Sequence, residues 1–207
     1  MSLETWLVYL AVAIGLSLTP GPNGLLSITH GACYGFRPTV YTVLGGALGF
    51  LTLIAISLAG FGTLLAASEQ AFTLLKWAGA AYLVFLGVQV WRSSPPDFLG
   101  AARSFDAATS KPFRMFRQGF TVAVSNPKGI LFFAAFLPQF MLAGASFWTQ
   151  LAIFGGTFVL VETAYELFLA SFAQRISPWL SHCGRWFNRI TGGTFVGMGA
   201  VLAAATR

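Results

Sequence analysis

Six apolar runs, each long enough to form a helix across a bilayer, divide this chain, and no other feature constrains its folding as much. About 20 consecutive apolar residues make a helix that crosses the hydrocarbon core. The runs cover Trp6 to Ile28, Val40 to Ala66, Phe72 to Trp91, Gln118 to Leu142, Phe147 to Ala173 and Trp186 to Ala205. A helix satisfies its own backbone in lipid, and none of the runs alternates as a barrel strand does. Composition agrees: 56% of the 207 residues are apolar and 9% are charged. A soluble domain carries about 25% charge. A soluble enzyme, a disordered chain and a disulfide-stapled secreted domain are thereby excluded. The expected fold class is an all-α integral membrane protein with six transmembrane helices.

The longest polar stretch, Arg92 to Arg117, includes Ser93, Ser94, Pro95, Pro96, Asp97, Arg103, Asp106 and Lys111, and reads as a linker. It separates a first three-helix unit, 1–91, from a second, 118–207, with 92–117 between them. Loops after the first, third and fifth runs contain Arg37, Arg92, Arg103, Lys111, Arg114, Arg117, Arg175, Arg185 and Arg189. The opposite side has Lys76 and Arg207. The positive-inside rule then puts the linker in the cytoplasm and both termini in the periplasm. The same rule accounts for the formal charge of +6 without nucleic acid. Glu4 is the one charge ahead of the first run, so the basic start of a signal peptide is missing and the run is read as a span. Cys33 and Cys183 both flank basic loops on the reducing side, where a structural bridge is not expected.

The two halves repeat. Leu18-Thr19-Pro20-Gly21-Pro22 matches Ser125-Asn126-Pro127-Lys128-Gly129, Gly45-Gly46 matches Gly155-Gly156, and Lys76-Trp77-Ala78-Gly79 resembles Arg189-Ile190-Thr191-Gly192. With three helices per half, the second copy must be inverted. Inverted repeats are an architecture of secondary transporters, whose site lies near the midplane between the halves.

Pro20 and Pro22 interrupt the first run beside Gly21, and Pro127 interrupts the fourth. Each proline removes a backbone donor and frees a carbonyl. Half-helices starting near Asn23 and Lys128 would aim free N–H groups and a positive dipole end at the midplane, where a carboxylate binds well. The freed carbonyls suit an ammonium or another cation. Lys128, Glu162 and Glu166 are ionisable residues deep inside spans, and each needs a partner or a task. Glu162 and Glu166, spaced i and i+4, share a helix face, and a carboxylate in an apolar setting can load and release a proton. An ion pair between Lys128 and one glutamate is the static alternative.

Other residues are plainer. His30 and His182 lie near span ends, and Trp6, Trp91, Trp148 and Trp186 read as interfacial belt aromatics. Two His and two Cys, widely scattered, build no metal site by spacing, and there is neither a P-loop nor a Gly-x-Ser-x-Gly elbow. No metal and no cofactor is expected. Gly45-x-x-x-Gly49 and Gly193-x-x-x-Gly197 suit close helix contact, within one chain or in a homo-oligomer.

Several stretches together resemble the LysE/RhtB-type amino-acid exporters, most closely the homoserine/threonine branch. They are Ser17-Leu18-Thr19-Pro20-Gly21-Pro22-Asn23, Leu75-Lys76-Trp77-Ala78-Gly79-Ala80-Ala81-Tyr82-Leu83, Asn126-Pro127-Lys128-Gly129, Phe136-Leu137-Pro138-Gln139-Phe140 and Ala173-Gln174-Arg175-Ile176. The resemblance runs in order over nearly the whole chain. It implies export of amino acids, with small neutral ones such as homoserine and threonine foremost, across the bacterial inner membrane in exchange for protons. In that reading Pro20, Gly21, Pro22, Asn23, Asn126, Pro127 and Lys128 build the substrate site. Asn23 and Lys128 hold the carboxylate, and Glu162 takes the ammonium or a proton. Glu162 corresponds to an acidic residue of some relatives. Glu166 departs from the family pattern and would be a second proton carrier or a bias toward cationic substrates. The alternatives are a divalent-cation exporter of the same broad superfamily and a membrane scaffold without transport.

Overall fold

The computed structural model describes residues 2–19, 21–67, 69–93, 111–141 and 144–204. Pro20 and most of the linker lie outside the described residues, as do the side chains of Lys76, His182 and Cys183. Every regular element among the described residues is helical.

The first apolar run forms two helices. Helix α1 is Leu3–Leu18 and starts on Ser2, whose hydroxyl accepts the Thr5 N–H at 3.2 Å. It stops at Thr19, which is extended (φ −70°, ψ 123°). The residue before a proline is pushed out of the helical region, and Thr19 precedes Pro20. Helix α2, Pro22–Tyr34, restarts with proline at its first position, where a missing N–H does no harm. The two axes differ by 53°. Gly35, at φ +83°, then turns the chain directly into α3, Phe36–Ala67. Helix α4 is Glu69–Arg92.

The fourth run is broken in the same way. Helix α5, Pro112–Val124, begins six residues before the expected span, inside the stretch read as linker. Asn126, extended before Pro127, caps α6, Pro127–Ala135, by accepting the Lys128 N–H at 3.0 Å. A short 3-10 turn, Leu137–Gln139, follows. Helix α7, Phe147–Gln150, passes through a π turn at Leu151–Gly155 into α8, Gly156–Ala204.

Forty-nine residues in one straight helix would reach about 74 Å. Yet Trp6 on α1 hydrogen-bonds Thr157 (3.1 Å), and Leu16, also on α1, shares a cavity wall with Thr194 and Met198. Because α1 is only 16 residues long, α8 must double back on itself. Its first part and its last part thus correspond to the fifth and sixth apolar runs. Among the described residues, α3 over Phe36–Gly60 and the stretch Phe147–Arg175 are long and apolar enough to cross a membrane, and the bent pair α1 and α2 makes a third. Large apolar side chains such as Val8, Leu44, Ile56, Phe85, Leu160 and Phe168 are exposed on the outside, as expected of a surface that faces lipid. Trp91, Trp148 and Trp186 are exposed too.

Glycines set the closest contacts. A Cβ at Gly45 would overlap the Phe116 carbonyl, and one at Gly119 the Thr42 carbonyl, so α3 and α5 meet backbone to backbone. Within the chain, only one of the pair Gly193 and Gly197 makes a close contact: a Cβ at Gly193 would meet the Trp91 ring at 3.3 Å. Gly197 has nothing within 4 Å of a built Cβ, whereas Gly192 and Gly87 press on each other's carbonyls and Gly199 on that of Ala80. The close-packing face of α8 is one position away from the pattern read in sequence. Beside α3, the rings of Phe50, Phe132, Phe133 and Phe158 pack into a core, with Phe133 and Phe158 edge-on at 4.9 Å.

Candidate functional site: two helix breaks around a buried lysine and a carboxylate pair

The two breaks meet. Asn126, at the start of α6, donates through its side-chain amide to the Asn23 side-chain carbonyl at 3.2 Å, one residue into α2. Both asparagines are buried. Lys128 is the second residue of α6 and is 2% exposed, far too deep to snorkel. Its ammonium crosses the first break and donates to the carbonyls of Leu16 (3.0 Å) and Thr19 (3.1 Å). These carbonyls end α1, and a cation at a helix C-terminus is favourable. Gly21 makes room, since a Cβ there would touch Lys128 Nζ at 3.1 Å.

Glu162 and Glu166 are 3% and 2% exposed, on the first part of α8. Glu166 Oε2 accepts from the Ser27 hydroxyl at 3.2 Å. Glu162 Oε2 and Glu166 Oε1 are buried with no hydrogen-bond partner. Gly46 on α3 closes the site opposite them. A Cβ there would lie 3.0 Å from Asn23 Nδ2 and 3.5 Å from Glu166 Oε2, so the amide and the carboxylate face each other across that glycine. Lys128 is within Coulombic reach of both glutamates. Its hydrogen bonds nevertheless go to carbonyls, so the static ion pair weighed from sequence is not what holds it.

Asn23, Asn126, Lys128, Glu162 and Glu166 therefore converge on one buried polar cluster. Gly21 serves it as open space. Pro127 is half-buried and Pro22 is exposed; both act through the backbone, by starting helices. Pro20 is outside the described residues. Sequence reading missed Ser27 and passed over Gly46 except as a repeat marker. It also placed His30 at an interface, where the structure buries it completely, with Nδ1 2.6 Å from the Thr42 hydroxyl. The signal existed: Asn23, Ser27 and His30 fall at i, i+4 and i+7, one face of α2. Among the described residues no group of three or more His, Cys, Asp or Glu comes together.

An apolar cavity of about 370 Å³ lies beside the first break, between Leu16 of α1 and its cap Thr19, Phe132 and Phe136 after the second break, and Thr194 and Met198 of α8.

A buried array of this kind, held by paired breaks in apolar helices, suits capture of a small zwitterion or cation inside a membrane. Comparison with known proteins identifies the family. Residues 14–206 match the LysE type translocator family. The chain is 35% identical to the homoserine/homoserine lactone efflux protein of Salmonella typhimurium, over 99% of this chain and 98% of that one. It is 32% identical to a membrane protein of Vibrio cholerae, over 99% of each. It is 27% identical to the leucine efflux protein of Klebsiella pneumoniae, over 96% of this chain and 94% of that one. No solved structure matches it. The chain belongs to the LysE type translocator family: it is a multi-pass membrane transporter and not an enzyme.

Proposed function

We propose that this chain exports amino acids or their close derivatives from the bacterial cytoplasm across the inner membrane, in exchange for protons, at the cluster between the two helix breaks. The observation that carries the reading is the carboxylate pair. Two buried glutamates, each with an unpartnered oxygen, share a site with amide and ammonium donors. Such a site offers an acceptor to an α-ammonium and donors to an α-carboxylate. When the ammonium leaves, a proton is the smallest species that can satisfy Glu162. Relatives named for homoserine and leucine efflux support small neutral amino acids as cargo.

In this mechanism Asn23, Asn126 and the first N–H groups of α2 and α6 bind the substrate carboxylate. Lys128 braces the first break and contributes its charge. Glu162 exchanges ammonium for proton, and Glu166 carries the coupled proton onward. The molecule is read as six spans in two inverted halves that rock about this site, with the linker cytoplasmic and both termini periplasmic. The reciprocal contact of Gly87 and Gly192 supports a pseudo-two-fold between α4 and the last part of α8.

The test is efflux from proteoliposomes loaded with homoserine, threonine, leucine, lysine and arginine, with and without a pH gradient. Gradient-dependent loss of the small neutral amino acids is expected. Glu162→Gln should abolish that loss while the protein stays folded, because the amide can neither carry the proton nor balance an ammonium. Undiminished efflux from this variant overturns the role of Glu162. Loss of divalent cations instead of amino acids would overturn the substrate class.

A further inference from the structure

Helix α2 has a second polar feature beyond the cluster. Its inward face carries Asn23, Ser27 and His30, exposed by 3%, 0% and 0%. Across from it, α3 presents Gly46, Thr42 and Thr39, also buried, in the opposite order, because Gly35 turns one helix directly back along the other. The result is a ladder of polar groups that starts at the carboxylates and ends at the α2–α3 turn. Asn23 faces Glu166 across Gly46. Ser27 donates to Glu166 Oε2 at 3.2 Å. His30 Nδ1 and the Thr42 hydroxyl are 2.6 Å apart. The Tyr34 ring stands edge-on to the imidazole at 5.4 Å. Thr39 donates to the Gly35 carbonyl at 2.8 Å, at the turn itself. Beyond it Tyr34 and Gly35 are half-buried and Arg37 is exposed.

Packing alone does not account for this ladder. A lone hydroxyl in an apolar helix bonds the carbonyl four residues back, as Thr29, Thr52 and, at the turn, Thr39 do here. Ser27 and Thr42 instead bond across helices, one to a carboxylate and the other to an imidazole. Each buried polar group is costly in an apolar setting unless partnered. An aligned file of them is the arrangement of a proton conductor, since hydroxyls pass protons and an imidazole takes one on one nitrogen while releasing another.

We propose that His30 is the relay of a proton path joining Glu166 to the aqueous face at the α2–α3 turn. The inference rests on the reading that Glu166 carries the coupled proton. When Glu166 is protonated, the Ser27 hydroxyl turns from donor to acceptor, takes the carboxyl proton and hands its own proton on. Ser27 and His30 are one turn apart, about 5–6 Å between Cβ atoms, a gap that one water spans. The imidazole accepts this proton on one nitrogen and gives the proton on Nδ1 to Thr42, which passes one out past Tyr34 and Gly35. One proton is transferred from the Glu166 carboxyl, left as a carboxylate, to water; Ser27 and Thr42 each keep one proton, and His30 ends as its other neutral tautomer, which must revert before the next proton passes. By the positive-inside reading the exit next to Arg37 is cytoplasmic, the side on which an antiporter driven by inward proton flow must let protons go. His30 and Thr42 are positioning residues here; neither is assigned contact with the substrate.

The full chain in proteoliposomes tests this without any substrate. Infrared spectroscopy follows the Glu166 carboxyl, identified as the band that disappears in Glu166→Gln, after deuterated buffer is added at pH values between about 5 and 8. Exchange should slow by about tenfold or more in His30→Gln and in Thr42→Val. Thr42→Ser should keep the wild-type rate, which a mere packing role for the threonine methyl would not give. Wild-type exchange rates in both His30→Gln and Thr42→Val overturn the path, as does the absence of any carboxyl band sensitive to Glu166→Gln. The Thr42 pair decides the matter if His30→Gln fails to fold. Homoserine and leucine efflux is measured in the same vesicles. Its absence from the wild-type protein would overturn the export reading while the exchange result still stands.

Discussion

At the scale of the residue, Lys128 and Asn126 do the joining. Lys128 binds the Leu16 and Thr19 carbonyls at the end of α1, where the Leu16 carbonyl also accepts the Thr19 N–H at 3.1 Å. Asn126 does two things at once: its carbonyl oxygen caps α6, and its amide reaches Asn23 on α2. Asn126→Ala should therefore destabilise the protein by about 2 kcal/mol, combining a lost cap with an acceptor left unpaired on Asn23. Thermal unfolding in detergent checks it. A double-mutant cycle with Asn23→Ala should show a coupling of about 0.5–1.5 kcal/mol, since the residues are in contact. Perfect additivity would mean that the 3.2 Å bond contributes nothing to stability.

At the scale of the element, the helices are placed by where a side chain is missing. Helices α3 and α5 approach until a Cβ at Gly45 or Gly119 would fall on the facing carbonyl. The neighbour is backbone, which cannot rotate away as a side chain can. Gly119→Ala should then destabilise by about 1–3 kcal/mol through overpacking. Gly197→Ala is the contrast, with open space around its Cβ and a helical backbone. It should be neutral or stabilising by about 0.4–1 kcal/mol, because alanine loses less backbone freedom on folding. Comparing the two melting temperatures separates a glycine at a backbone contact from one that only its sequence spacing marks for close packing. An equal fall for both would show that the α3–α5 contact is not specially tight.

At the scale of the whole molecule, the reading of spans makes a topological prediction. Phe113 is 75% exposed at the start of α5, and Trp148 is 74% exposed at the start of α7. The fourth span separates them, so they should lie on opposite sides of the membrane. In a background of Cys33→Ser and Cys183→Ser, a membrane-impermeant maleimide should label Trp148→Cys in intact cells and Phe113→Cys only after permeabilisation. The reverse pattern would invert the orientation. Equal labelling would remove the fourth span.

Much of this was legible in the chain itself, and the reason is the solvent. Lipid offers no hydrogen bonds, so every spanning segment must be a long apolar helix, and length with hydropathy reveals it. Prolines report breaks just as locally: Thr19 and Asn126 are extended because each precedes one. Ionisable residues inside apolar runs, such as Lys128 and Glu162, stand out against their background. Three things needed the tertiary structure. Lys128 spends its hydrogen bonds on carbonyls of α1, more than 100 residues away in sequence, and no local pattern encodes which acceptor wins a buried cation. Gly192, not Gly193, meets Gly87, because helix rotation is set by the whole packed interface and small-residue spacing leaves it undetermined. His30 is buried because α2 turns back on α3 and brings Thr42 against it, so its depth follows from the packing of neighbours and not from its position along a run.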